Sequence, residues 1–373
     1  MDIKDYRNEL EELFIKLCQI PAPTEKEDAR TEFISNWYAE NGLLNLEIDL
    51  EGNVLYSFGV KAFNEINVFT AHMDTVFPME TKLEPVIENG TLFCPGCGDN
   101  TVNLAIMMIA VKYLNDIGFN PEKGYVFAAD ICEEGKGNLK GVKAVLDHFG
   151  SRVTSLTALD LDYGTIINKA VGSRRFNVNI KTKGGHSFHD FGTPNAIAVS
   201  ADIIKSLYSQ FLPEQGVTTF NVGTINGGNS VNSIASNVDF TYEIRSDIQD
   251  NIDLLTTMFN EIIDLNNADD VEVTTEIIGE RPCMGNVDVE KQQALTKKAY
   301  AAYGSAGWEE AGYGDVVIKE TDGSTDCNAS LALGIPSVCI GLAVSKGHHT
   351  LDETTEMNSL LPGLETLVNY ILT

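Results

Sequence analysis

Five segments of this 373-residue chain put histidines or carboxylates where a strand ends or a helix begins. In Ile66-Asn-Val-Phe-Thr-Ala-His72-Met-Asp74 the apolar run reads as a strand, and its period of two puts His72 and Asp74 on the same side at the carboxyl end. Gly96-Cys-Gly-Asp99-Asn100 precedes an apolar helix expected over Val102 to Leu114, where backbone dipoles favour a carboxylate. Phe127-Ala-Ala-Asp-Ile-Cys-Glu133-Glu134-Gly135 ends another strand on adjacent acids, and Leu156-Thr-Ala-Leu-Asp160-Leu-Asp162 ends a third. His348-His349-Thr350 follows a strand at Pro336–Leu342 after a short Gly-containing loop. Taken singly, these are a loop hydrogen-bond pair, a helix cap, a solvated turn and a polar loop. Together they lie where open α/β sheets bind ligands, and imidazole with carboxylate is a donor set that zinc, cobalt or manganese accepts. The expected chemistry is that of bound divalent metal.

Such convergence needs one sheet. Leu10, Leu13, Phe14 and Leu17 have helical spacing over residues 8–18, Pro21-Ala-Pro23 stops that helix, and a second covers about 27–40. Strand-like runs at Val54–Phe58, Ile66–Ala71, Tyr125–Ile131, Leu156–Leu161 and Pro336–Leu342 then alternate with helices, the pattern of an α/β sheet with buried strands. From about Ser173 the pattern changes. Arg175–Lys181 alternates as a strand, a helix follows over 195–210, strands at 218–225 and 236–245, a helix at 250–265 and a strand at 271–278. This β-α-β-β-α-β order is that of a ferredoxin-like α+β domain, placed at 173–281. The chain then returns to helix (287–302), strand and loop, so 1–172 and 282–373 are expected to form one discontinuous domain carrying the small one as an insert.

Composition bounds the partners. Lys and Arg number 26 against 54 Asp and Glu, a formal net charge of −28 that repels phosphate backbones and anionic membranes, so neither nucleic acid nor membrane is an expected partner. With 43% hydrophobic and only 21% charged residues, the chain has the apolar mass to fold. Its seven cysteines, an odd set in mostly apolar surroundings, suit a reducing compartment, and Cys94-Pro-Gly-Cys97 has no second pair at zinc-ribbon distance. The amino terminus lacks a basic stretch followed by an apolar one, and Leu331–Val344 is broken by Gly334, Pro336 and Gly341. A cytoplasmic protein is expected.

Six motifs, in order, carry a family resemblance. Thr70-Ala-His72-Met-Asp74-Thr75-Val76, Gly98-Asp99-Asn100, Glu133-Glu134-Gly135, Ala158-Leu-Asp160, Gly184-Gly-His186-Ser187 and His349-Thr-Leu-Asp-Glu353 resemble those of the two-zinc exopeptidases that include peptidase T, carboxypeptidase G, aminoacylase and succinyl-diaminopimelate desuccinylase. The resemblance runs from Pro21-Ala-Pro23 to His349 and includes the insert. It implies two divalent ions per chain, zinc with cobalt or manganese as alternatives: one held by His72, Asp99 and Asp160, the other by Asp99, Glu134 and His349, with Asp99 shared. Glu133 would be the general base toward a water between the ions, and Asp74 would orient His72. Asp160 competes with Asp162, two residues on along the same face, and matches the family pattern better. His349 does so better than His348. The resemblance also makes the insert a lid and dimerisation domain, bringing His186 as an oxyanion donor with Asn232 and Arg245 on substrate polar groups. Asp99 is followed here by Asn100-Thr-Val-Asn103 rather than the Asp-Lys-x-Gly common in relatives.

The function implied is metal-dependent exopeptidase action on short peptides. N-acyl-amino-acid amidohydrolysis is the close alternative, since it uses the same water and base. A non-catalytic metal-binding scaffold stands behind both, because Glu133 is present beside the ligands.

Overall fold

Strands that are apolar on both faces belong inside a sheet covered on both sides. In the computed structural model, which describes residues 2–373, Gly124–Asp130, Ile66–His72, Val153–Leu159 and Ser337–Ile340 lie side by side and parallel at the centre of an eight-stranded sheet. Val54–Phe58 and then Leu46–Ile48 extend it antiparallel on one side. On the other, Thr165–Ala170 runs antiparallel to Ser337–Ile340, and Lys319–Gly323 pairs parallel outside it. The sheet is therefore mixed and the fold α/β. Register keeps the carboxyl ends of the parallel strands level: His72 stands opposite Asp130, Thr70 opposite Ala158, and Leu159 opposite Ile340. The Val102–Asp116 helix, its first ten residues all buried, packs with Arg7–Cys18 and Leu360–Leu372.

A second small sheet orders Ser345–Lys346, Thr354–Glu356, Thr91–Phe93 and Val86–Glu88, all antiparallel. Its strands are two or three residues long and Val86–Glu88 is wholly exposed, so no apolar period announces it in the sequence. The sheet ties the segment before Asp99 to the segment around His349. Arg30 makes a similar tie. Its buried guanidinium donates to the carbonyls of Leu17 (3.3 Å), Ile20 (3.0 Å) and Met73 (2.8 Å), joining the Pro21–Pro23 turn to the end of the His72 strand.

Val171–Met284 forms a compact unit of its own within the chain. Its four antiparallel strands are ordered Thr218–Gly227, Asn237–Ser246, Gly172–Thr182, Val271–Arg281. Alternate residues Phe176, Val178 and Ile180 and Val238, Phe240, Tyr242 and Ile244 form a core with Ile203 and Leu207 of the Ala196–Leu207 helix and Ile252, Leu255 and Phe259 of Gln249–Asn266. Two strand periods and two helical ones meeting on one face are what a β-α-β-β-α-β unit requires. Among the described residues no helix is long and apolar enough to cross a membrane.

Candidate active site

Asp74 organises the strand ends. It is fully buried, and His72 Nδ1 lies 3.3 Å from its Oδ1 and 3.1 Å from its backbone carbonyl. The backbone N–H groups of Glu133 and Glu134 donate to its two carboxylate oxygens at 3.0 and 2.9 Å, and Thr24 Oγ1 donates at 2.8 Å. One side chain thus sets the ring of His72 and the turn that aims both glutamates. Glu27, also buried, holds that turn from its other side by accepting from the Cys132 N–H at 3.1 Å. Neither Thr24 nor Glu27 stands out in the sequence, where Thr-Glu-Lys-Glu reads as an ordinary polar helix start.

His72 Nε2, facing away from Asp74, lies 3.1 Å from Asp99 Oδ1 and 3.9 Å from Asp160 Oδ1. His349 Nε2 lies 3.1 Å from the other Asp99 oxygen and 2.8 Å from Glu134 Oε1. His72, Asp99 and Glu134 each offer a donor atom within 4.8 Å of the others, and of the adjacent acids it is Glu134 that joins this group. Glu133, Glu134, Asp160 and His72 are buried, whereas the His349 side chain is 54% exposed and opens the cluster to solvent. His349 takes a left-handed backbone conformation, φ 64°, which turns it away from the direction of its neighbour. His348 accordingly faces Asp162 at 3.5 Å, and Asp162 also accepts from the Ser345 N–H at 2.9 Å. Asp160 and His349 are thus in the cluster and Asp162 and His348 form a pair beside it.

The electrostatics describe a place short of positive charge. Burial pushes the Asp99 carboxyl upward, but hydrogen bonds from His349 and His72 outweigh it and hold the group well below the carboxylate range. Burial and the charge of Asp99 push Asp160 up to about 7. Burial opposes charge on His72, yet Asp74 and Asp99 raise its pKa well above the ordinary value, and bonds to Asp99 and Glu134 push His349 up to about 10. A divalent cation placed among these groups would compete with their protons.

In the insert, His186 and Asn232 are neighbours. Gly185–His186 pairs with Ser233–Ile234, the Ser187 N–H donates to the Asn232 carbonyl at 3.1 Å, and exposed His186 accepts the Phe188 N–H at Nδ1, 3.2 Å away. Arg245 is not with them. It stands near the far end of the Asn237–Ser246 strand, opposite Ser173, with Nε 2.9 Å from Glu243 Oε2. Glu243 also accepts from Arg175 at 2.7 Å.

Donors brought from several segments to one sheet edge form a candidate divalent-metal centre, the class of site that metallohydrolases use. Within it, the description that matches is "Peptidase family M20/M25/M40", over residues 68–373, and the chain belongs to that family. The uncharacterized protein YqjE of Bacillus subtilis (strain 168) is 27% identical over 383 residues, 96% of each chain. Among solved structures the chain is similar to the aminopeptidase PepT of Bacillus cereus (TM-score 0.73, 23% identity, 98% of both chains). It is similar also to a tripeptidase of Staphylococcus aureus (TM-score 0.75, 20% identity, 98% of this chain and 97% of that one). A third, described as a dinuclear metal binding peptidase of the M20 family from Bacillus subtilis, has TM-score 0.65 and 18% identity over 98% of both chains.

Proposed function

We propose that the protein is a metal-dependent exopeptidase acting on short peptides. The observation that carries this reading is the convergence of His72, Asp99 and Glu134 within 4.8 Å, with His349 Nε2 bonded to the last two. The donor set fits two divalent ions: His72, Asp99 and Asp160 toward one, Asp99, Glu134 and His349 toward the other, with each oxygen of Asp99 already facing a different histidine. Imidazole with carboxylate suits zinc, and also cobalt or manganese. Ions so held would polarise the scissile carbonyl and lower the pKa of water.

Glu133 is assigned the proton. Its backbone is anchored to Asp74 beside Glu134, and successive side chains point in different directions, so one acid can ligate while the other takes a proton from the attacking water and returns it to the leaving amine. Asp74, beside His72 Nδ1, would keep the ring in the tautomer that leaves Nε2 free to ligate an ion. His186 and Asn232, paired on one ribbon of the insert, are assigned to the substrate carbonyl and its polar end. Arg245, paired with Glu243 near the far end of the Asn237–Ser246 strand, is left out of that assignment.

A peptide substrate is supported by the neighbours described as aminopeptidase and tripeptidase. A mass-spectrometric screen of di- and tripeptides alongside N-acyl amino acids, with zinc, cobalt or manganese added, tests it. Free amino acids released from peptides, and release abolished by a chelator, are the expected result. Cleavage confined to N-acyl amino acids replaces peptidase by amidohydrolase, and activity indifferent to chelation removes the metal assignment.

The insert is further assigned to homodimer formation. Its Thr218–Gly227 strand is an unpaired sheet edge carrying half-exposed Ile225, and Phe188, Phe191 and Val231 are each at least 80% exposed. Light scattering is expected to give twice the chain mass. A fully active monomer at micromolar concentration would restrict His186 to a role within its own chain.

A further inference from the structure

The acid at the end of His349-Thr-Leu-Asp-Glu353 has no exposed surface and lies among backbone donors. Its Oε2 accepts from the Gly96 N–H at 2.7 Å, and its Oε1 from the N–H groups of Gly98 at 2.8 Å and of Asp99 at 2.7 Å. Its own carbonyl accepts from the Cys94 N–H at 3.1 Å. Four groups of the segment that delivers Asp99 are thereby bound by one residue, four positions after His349. We propose that Glu353 is a positioning residue that fixes Asp99 relative to His349, so that the carboxylate presents one oxygen to each histidine. The inference rests on the reading of Asp99 and His349 as metal ligands.

Three features support it. The Asp99 segment is not a regular helix turn: Asp99 and Asn100 have non-helical backbone angles, and the buried N–H groups of Gly96, Gly98 and Asp99 find their acceptor in Glu353. A carboxylate bound by three N–H groups is a charge-assisted arrangement, about twice as strong per bond as a neutral one. The space is also closed. A Cβ on Gly98 would stand 2.6 Å from Ser345 Cβ and 3.0 Å from Glu353 Oε1, so only glycine lets the backbone approach this acid and the strand that leads to His349. The small sheet supplies the rest, since Thr354–Glu356 pairs with Thr91–Phe93 on one side and Ser345–Lys346 on the other, making the His349 loop and the approach to Asp99 parts of one object.

The test is cobalt loading of full-length Glu353→Gln, with Asp352→Asn, an exposed neighbour, as control. Gln keeps the shape, but its amide must face at least one N–H donor, so the segment shifts. Expected are a changed Co(II) ligand-field spectrum, weaker magnetic coupling between the ions, and about 10–100-fold lower apparent affinity, the range for a group that supports a ligand. On the best substrate kcat falls while KM stays. The metal-free thermal midpoint falls somewhat as well, since a buried N–H is left unpaired, so the cobalt spectrum is the deciding readout. Wild-type cobalt spectrum, coupling and affinity in Glu353→Gln overturn the proposal, as does a lowered apo midpoint with an unchanged cobalt spectrum, which marks a purely structural role. Should Glu353→Gln fail to fold, Glu353→Asp withdraws the carboxylate from the same three N–H groups: the same spectral change supports the proposal and a wild-type spectrum overturns it. Wild-type protein that takes up no cobalt overturns the metal assignment itself and the proposal with it.

Discussion

Replacing Glu133 by Gln is expected to lower turnover on the best peptide by roughly 10²–10⁴-fold, the usual worth of a positioned general base, with both ions still in place. The substitution retains size and one hydrogen-bonding oxygen but removes the proton acceptor. The backbone N–H to Asp74 is untouched, so the turn that carries Glu134 keeps its anchor. Because proton transfer matters in the transition state and little in the bound ground state, kcat should fall and KM stay nearly constant. Steady-state kinetics with elemental analysis of the same preparation checks both halves. Near-normal turnover in Glu133→Gln, with both ions retained in Glu134→Gln, would require the two roles to be exchanged or abandoned.

Asp99→Asn should empty the whole site. Each of its oxygens faces a different histidine, so losing the charge weakens both ions together, whereas His349→Ala leaves His72, Asp99 and Asp160 intact and should release one ion ahead of the other. Supporting groups around a metal ligand are worth about 10–100-fold in affinity, and a ligand shared by two ions must exceed that. Elemental analysis after dialysis is expected to find about two ions per wild-type chain, near zero in Asp99→Asn, and an intermediate value in His349→Ala. Dependence on pH supplies the sign. Without metal, the bonds to Asp99 and Glu134 push His349 up to about 10, and burial beside Asp99 pushes Asp160 up to about 7, so protons compete for these positions at neutrality. Loading must release them, and apparent affinity should rise as pH is raised from about 5 to about 8. Affinity that falls over that range would mean that neither group ligates.

Residues with a periodic neighbourhood were legible in the sequence. His72 and Asp74 follow an apolar run whose period fixes their side, and the insert's alternating strands carry both their faces and their order. What lacked a period did not show. Lys319–Gly323 reads Lys-Glu-Thr-Asp-Gly and is a strand only because Thr165–Ala170 pairs with it. The Lys140–Phe149 helix is a different case, since Val142, Val145, Leu146 and Phe149 have clear helical spacing that was available to be read. At the site, residue types were visible but directions were not. The choice of Asp160 over Asp162 and of His349 over His348 depends on left-handed backbone at Leu161 and His349, neither of them the glycine that would have marked such a turn. Glu27 and Glu353 accept from backbone N–H groups and Thr24 donates to the Asp74 carboxylate, all partners distant in sequence, and nothing local signals a partner of that kind.

The position of Ser337–Ile340 between Val153–Leu159 and Thr165–Ala170 governs how the molecule can be born. A ribosome releases the strands ending at His72, Asp130 and Leu159 first, and then must make residues 160–336 before the strand that pairs with the open edge of Val153–Leu159 exists, a wait of ~10–35 s at common elongation speeds. During it the apolar edge of Val153–Leu159 has no neighbour, while the insert, whose strands and helices all lie within Val171–Met284, can mature locally. His349 arrives later still. The complete set of candidate donors therefore exists only once the chain has been made almost to its end, after the insert and most of the sheet.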